Sequence, residues 1–313
     1  MVARLLRFAT LGLLAAALLW ALVWLHFDRP VLALLGAVAI AFSHAIVLAI
    51  EFVLLIFVNR ADPAPRANAC QLLRSWWAEV WIAALVFGWR QPYRSNVYPD
   101  RLAPAGRRGV VLVHGFFCNR GVWNPWLERF HAEQVPFIAV DLNEVFGSID
   151  ECAPIVEQAV QRMQAATRLA PVIVAHSMGG LVARVWLDRY AGDTRVHRII
   201  TVGTPHSGTW LARFAIGANT RQMRRAGEWL GAIGRREPAR RSARFTCFYS
   251  HCDNIVFPAS TATLPGADNR HLPAVAHVEM AYHPEVLAEL TRWLASPAAD
   301  PSPAVAGTSA SAR

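Results

Sequence analysis

The segment Val174-Ala175-His176-Ser177-Met178-Gly179-Gly180-Leu181 runs from an apolar β-branched stretch straight through a serine into a helical pattern. A serine in such a sharp turn is exposed at the top of a sheet. The residues two positions to either side of it must be small for strand and helix to approach closely. Ala175 and Gly179 meet that demand.

The surrounding sequence predicts the matching scaffold. From about Gly109, short β-branched runs alternate with longer amphipathic segments, the signature of a mainly parallel sheet wrapped by helices. The candidate strands are Val110–Val113, Phe137–Val140, Val172–Val174, Ile199–Val202 and Phe245–Tyr249. Ile155–Leu169, Leu181–Tyr190 and Pro284–Leu294 read as helices. In an open sheet of this kind the chemistry belongs at the carboxyl ends of the strands.

With the serine turn set in that frame, the chain resembles the α/β-hydrolase superfamily, in the Ala-x-Ser-x-Gly form of the nucleophile elbow found in some bacterial lipases. The resemblance covers roughly Arg108 to Leu294. His114-Gly115-Phe116-Phe117 resembles the His-Gly-x turn of lipases, and Val202-Gly203-Thr204-Pro205-His206-Ser207-Gly208-Thr209 resembles a Gly-Thr-Pro-His-x-Gly segment of lipases and related acyl hydrolases. The resemblance implies Ser177 as nucleophile, with the backbone N–H groups of Phe116 and Met178 as the oxyanion hole. It implies no metal and no cofactor.

The superfamily's chain order places an acid and then a histidine after the serine. Asp253 follows a candidate strand and His277 lies in the loop before the last helix, which matches that pattern. Asp268 is the reserve acid, and His206, His251, His271 and His283 are the rival histidines. His176 is expected to pack or to make a local hydrogen bond, since neighbouring side chains leave a strand on opposite faces. Cys118 is expected to be a buried apolar residue without chemistry.

Ahead of this domain lie two apolar runs. Phe8–Leu25 carries no charge, and Val31–Val58 is interrupted only by His44 and Glu51. Each is long enough to cross a hydrocarbon core of about 30 Å. Residues 1–60 are thus expected to form two transmembrane helices, and the absence of a small-x-small cleavage motif argues for an anchor rather than a signal peptide. His44 and Glu51 are expected to face a partner helix or the membrane interface. Arg4 and Arg7 precede the first run, while Arg60, Arg66 and Arg74 follow the second. The positive-inside bias then predicts a bacterial inner membrane location with the large domain in the cytoplasm. The aromatic stretch Trp76–Trp89, within a linker over 61–107, is expected to lie in the membrane interface.

The formal charge of +9 comes from arginine alone, as the chain has no lysine. Beside so apolar an N-terminus, the anionic partner expected is phospholipid, and no nucleic-acid motif is present. Five cysteines without a close pair predict reduced thiols. Within the hydrolase domain, 108–295, a cap over about 209–244 mixes arginines with apolar residues. It reads either as a lid with a basic face or as an ordinary helical surface. Residues 296–313, rich in Ala, Ser and Pro, are expected to be disordered.

The activity this implies is cleavage of carboxylic, lipid or acyl esters through a Ser-Asp-His triad and an acyl-enzyme. An acyltransferase, thioesterase or amidase on the same triad, or a non-catalytic membrane binding module, are the alternatives.

Overall fold

The computed structural model describes residues 1–102, 105–142 and 145–296, so that most of the expected disordered tail lies outside the described residues. Ahead of the sheet come the helices α1 (Val2–His26), α2 (Pro30–Ala41), α3 (Ser43–Val58), α4 (Ala69–Leu85) and α5 (Gln91–Tyr93). The second apolar run is therefore not one continuous helix: it breaks at Phe42. The reason is that its halves have different partners. Helix α2 pairs with α1, whereas α3 turns onto α4, where His44 Nε2 meets the Val80 carbonyl and Trp76 Nε1 donates to the Ala45 carbonyl. Helix α1 and the stretch Ser43–Ala61 have the length and apolarity to cross a membrane. At about 1.5 Å per residue, α2 alone reaches only about 18 Å.

The aromatic helix is longer than Trp76–Trp89. It continues from α4 through a wide turn at Val86–Arg90 into α5, the kind of bulge a proline such as Pro92 favours. Leu73, Trp77, Trp81, Leu85 and Trp89, four residues apart, form an exposed stripe along it.

The centre of the molecule is a parallel sheet of β1 (Val110–Val113), β2 (Phe137–Ala139), β3 (Val172–His176), β4 (Arg198–Val202), β5 (Phe245–Tyr249) and β6 (Asp268–His271). The order is β2-β1-β3-β4-β5-β6, with every pairing parallel. The first five strands are the ones expected. The edge strand β6, Asp-Asn-Arg-His, has no apolar alternation to announce it. It forms because β5 offers an open edge.

Around the sheet lie α6 (Asn124–Ala132), α7 (Ile149–Thr167), α8 (Met178–Arg189), α9 (Ala218–Gln222), α10 (Glu228–Arg236), α11 (His277–Met280) and α12 (Pro284–Ala295). Side chains alternate across each strand. Val111, Val113, Ile173, Ala175 and Ile199 face α7 and α8, while Val110, Leu112, Val172, Val174 and Ile200 face α6 and α12. Helix α7 starts at Ile149, ahead of the expected Ile155. Ser148 and Glu151 form a capping box there, and the Asp150 carbonyl that Pro154 cannot bond accepts from Arg189 instead.

Both ends of the N-terminal assembly touch the hydrolase domain. Val2 and Leu6 pack with Val145, Phe87 and Phe117, and Asn59 and Asp62 bond the 259–260 backbone.

The arginine-rich segment 209–244 is tied down. Leu230 and Ile233 of α10 enter the core, Arg184 grips Glu237 through two 2.8 Å bonds, and Arg236 and Arg241 pair with Asp188 and Asp193. These partners hold α10 and the residues that follow it against α8 and the turn beyond it. Only the loop carrying Phe214 and Ile216 presents large apolar side chains to solvent there.

Candidate active site

Ser177 stands at the end of β3 with φ +55° and ψ −129°, a conformation that costs a non-glycine residue on the order of 1–3 kcal/mol. The surroundings hold it there: Ser177 N donates to the Val202 carbonyl at 2.8 Å, and Thr204 Oγ1 donates to the Ser177 carbonyl at 2.9 Å. The turn tolerates no bulk. A methyl group on Gly179 would lie 2.6 Å from the Val113 carbonyl oxygen, and one on Gly115 would lie 2.7 Å from Ser177 Cβ. Met178 is the first residue of α8, so its N–H is one of the donors that a helix leaves without an internal acceptor.

Asp253, in the loop after β5, and His277, at the start of α11 after β6, come together. His277 Nδ1 lies 2.9 and 3.0 Å from the two Asp253 carboxylate oxygens. Asp253 Oδ1 also accepts from the N–H groups of Ile255 and Val256, which fixes the carboxylate. With Nδ1–H directed at Asp253, Nε2 is left as the proton acceptor. Burial by itself lowers the basicity of His277, but the charge and hydrogen bond of Asp253, with Glu79 and Glu51 beyond, raise it above the ordinary histidine value.

The pair lies beside the serine turn. His176 is in register with Val202 across the β3–β4 ladder, so Ser177 neighbours Gly203. A methyl on Gly203 would lie 3.1 Å from His277 Nδ1 and 2.9 Å from Asp253 Oδ2. His176 makes a hydrogen bond to the same loop: Nε2 donates to the His277 carbonyl at 3.0 Å. Burial and the nearby His277 push His176 down to about 3, which keeps it neutral.

His114 braces the other turn. Its Nε2 accepts from Leu142 N–H and its Nδ1–H donates to the Gly115 carbonyl, leaving Phe116 and Phe117 to pack with Phe146 at ring separations of 6.3 and 6.5 Å. Cys118 is buried, and desolvation pushes its thiol up to about 12, which removes the thiolate that chemistry would need.

The reserves are engaged elsewhere. Asp268 lies in β6, paired with Arg270 at 2.7 Å. His206 contacts Thr201 Oγ1, His251 Nε2 accepts from Ala274 N–H, the His271 ring packs against that of His251, and His283 caps α12.

Two carboxylates that no sequence motif marks reach the site. Glu79 of α4, 1% exposed, accepts from the N–H groups of Val278 and Glu279. Glu51 of α3 accepts from Asn254 Nδ2 at 2.7 Å, so it faces the hydrolase domain. The sequence signal is weak: Glu51 is an acidic residue inside a largely apolar helix, and Glu79 lies in an aromatic helix that also carries Arg74.

A sequence profile of the alpha/beta hydrolase family matches residues 110–310, and the chain belongs to that family. Among curated proteins, the GPI inositol-deacylase of Candida albicans is 33% identical over 92 residues, covering 26% of this chain and 24% of the relative. The match thus spans about a quarter of that protein. Among solved structures, Bacillus licheniformis lipase BlEst2 superposes with a TM-score of 0.54 at 16% identity, over 63% of this chain and 95% of that one. Aspergillus fumigatus lipase B gives 0.53 at 20% identity, over 62% and 55%. These likenesses describe the fold.

Proposed function

We propose that the protein is a membrane-anchored serine hydrolase that cleaves carboxylic esters of lipids. The observation that carries this reading is the Asp253–His277 pair beside the strained serine turn. His277 Nε2 takes the Ser177 hydroxyl proton as Oγ attacks the ester carbonyl carbon. The Phe116 and Met178 N–H groups receive the oxyanion, each worth about 3–4 kcal/mol in comparable sites. The tetrahedral intermediate expels the alcohol, which takes the proton from His277. Water, deprotonated by the same imidazole, then releases the acid and restores Ser177.

Lipid is favoured as substrate by the apolar helices, by the exposed Phe146, Phe214 and Ile216, and by the short match to a deacylase of GPI inositol. That both ends of the helical assembly touch the hydrolase domain supports a reading in which the N-terminus and that domain share one side of the bilayer. The arginine bias supports the cytoplasmic face of a bacterial inner membrane as that side.

The test is fluorophosphonate labelling and turnover of p-nitrophenyl esters of graded chain length. Wild type labels and turns over; Ser177→Ala abolishes both, and His277→Ala lowers turnover by about a thousandfold or more. Labelling that persists in Ser177→Ala would remove the proposal.

A further inference from the structure

We propose that Glu79 and Glu51, both supplied by the N-terminal helices, are positioning residues for His277, so that the segment read as an anchor completes the active site. The inference rests on the serine hydrolase reading above. His277 is the first residue of α11, and a four-residue helix has little cooperativity of its own to hold an imidazole in place.

External contacts do that work instead. Glu79 Oε1 accepts from Val278 N–H at 2.9 Å and Oε2 from Glu279 N–H at 3.2 Å. Arg74, about one turn earlier on α4, bonds the Ala274 carbonyl and pairs with Glu279. From α3, Glu51 fixes the Asn254 side chain, whose Oδ1 accepts from His277 N–H at 3.3 Å. His176 closes the ring by holding the His277 carbonyl. The residue is therefore gripped on both sides of its backbone.

Burial of a carboxylate opposite backbone N–H groups needs a reason, since a neutral apolar residue would cost less to desolvate. Two N–H groups that donate to the charge and a nearby imidazolium supply one. The charged and titratable groups around His277 are Asp253, Glu79, Glu51 and His176. Desolvation raises Glu79 itself to about 7, against the pull of the Val278 N–H and His277. Anionic Glu79 in turn raises His277, so its removal moves the histidine's titration to lower pH.

The experiment compares full-length wild type, Glu79→Gln, Glu79→Ala and Glu51→Ala in detergent, using a soluble short-chain p-nitrophenyl ester and the fluorophosphonate probe. We expect kcat to fall about 10- to 100-fold in Glu79→Ala and less in Glu79→Gln, which keeps one acceptor, with KM within about twofold of wild type. The acid limb of kcat/KM moves to lower pH in Glu79→Gln. If Glu79 variants fail to fold, Glu51→Ala carries the test, with a lowered kcat at unchanged KM expected. Wild-type kcat and an unmoved acid limb in folded variants would overturn the inference alone. Failure of wild type to label would instead overturn the hydrolase reading, and this inference with it.

Discussion

Residues at the site are held by exclusion of volume as much as by attraction. Gly203 has φ +56°, and any side chain there would press on both Asp253 and the His277 ring. Gly203→Ala is therefore expected to leave the sheet folded but to lower kcat about 10- to 100-fold, read with the soluble ester and checked against an unchanged circular dichroism spectrum. Ser177, Asp253 and His277 are legible as candidates because each sits in a local pattern: strand-serine-helix, strand-loop-acid, and loop-histidine-helix. Glu79 and Glu51 are not, because their partners lie 199 to 203 residues further along the chain, and no local period reports a contact of that range.

At the scale of elements, β1 to β5 are readable from their short apolar and β-branched runs, whereas β6 is hidden by its polarity and the break at Phe42 by the apolar residues on both sides of it. Helix α12 illustrates how a polar residue can secure an element. Burial opposes the charge of Glu289, but hydrogen bonds from Arg292, Trp293 and Thr246, with the charge of Arg270, pull its carboxyl down to about 2. A depressed carboxyl contributes stability above its unfolded value and loses it as pH falls through the folded one. Glu289→Gln is thus expected to lower stability by about 2 kcal/mol near neutrality. In thermal melts the gap from wild type should be widest above about pH 5 and close toward about pH 2.

Across the whole molecule, one helix presents two chemistries. The outer face of α4 carries Trp77 and Trp81, and its inner face carries Glu79. Tryptophans of this kind settle at the headgroup level of a bilayer. Trp77→Ala/Trp81→Ala is expected to lower activity on esters embedded in vesicles several-fold while leaving turnover of a soluble ester unchanged. Equal losses on both substrates would mean that the stripe acts on folding rather than on the membrane.

The long reach from Glu79 to Val278 also bears on biosynthesis. Ribosomes add about 5–20 residues per second, so the helices emerge roughly 10–40 s before the histidine loop they hold. Over the later half of that interval, between Ser177 and His277, the nascent chain carries the serine turn without the histidine. On the proposed function, a hydrolase assembled in this order stays silent until translation is nearly complete.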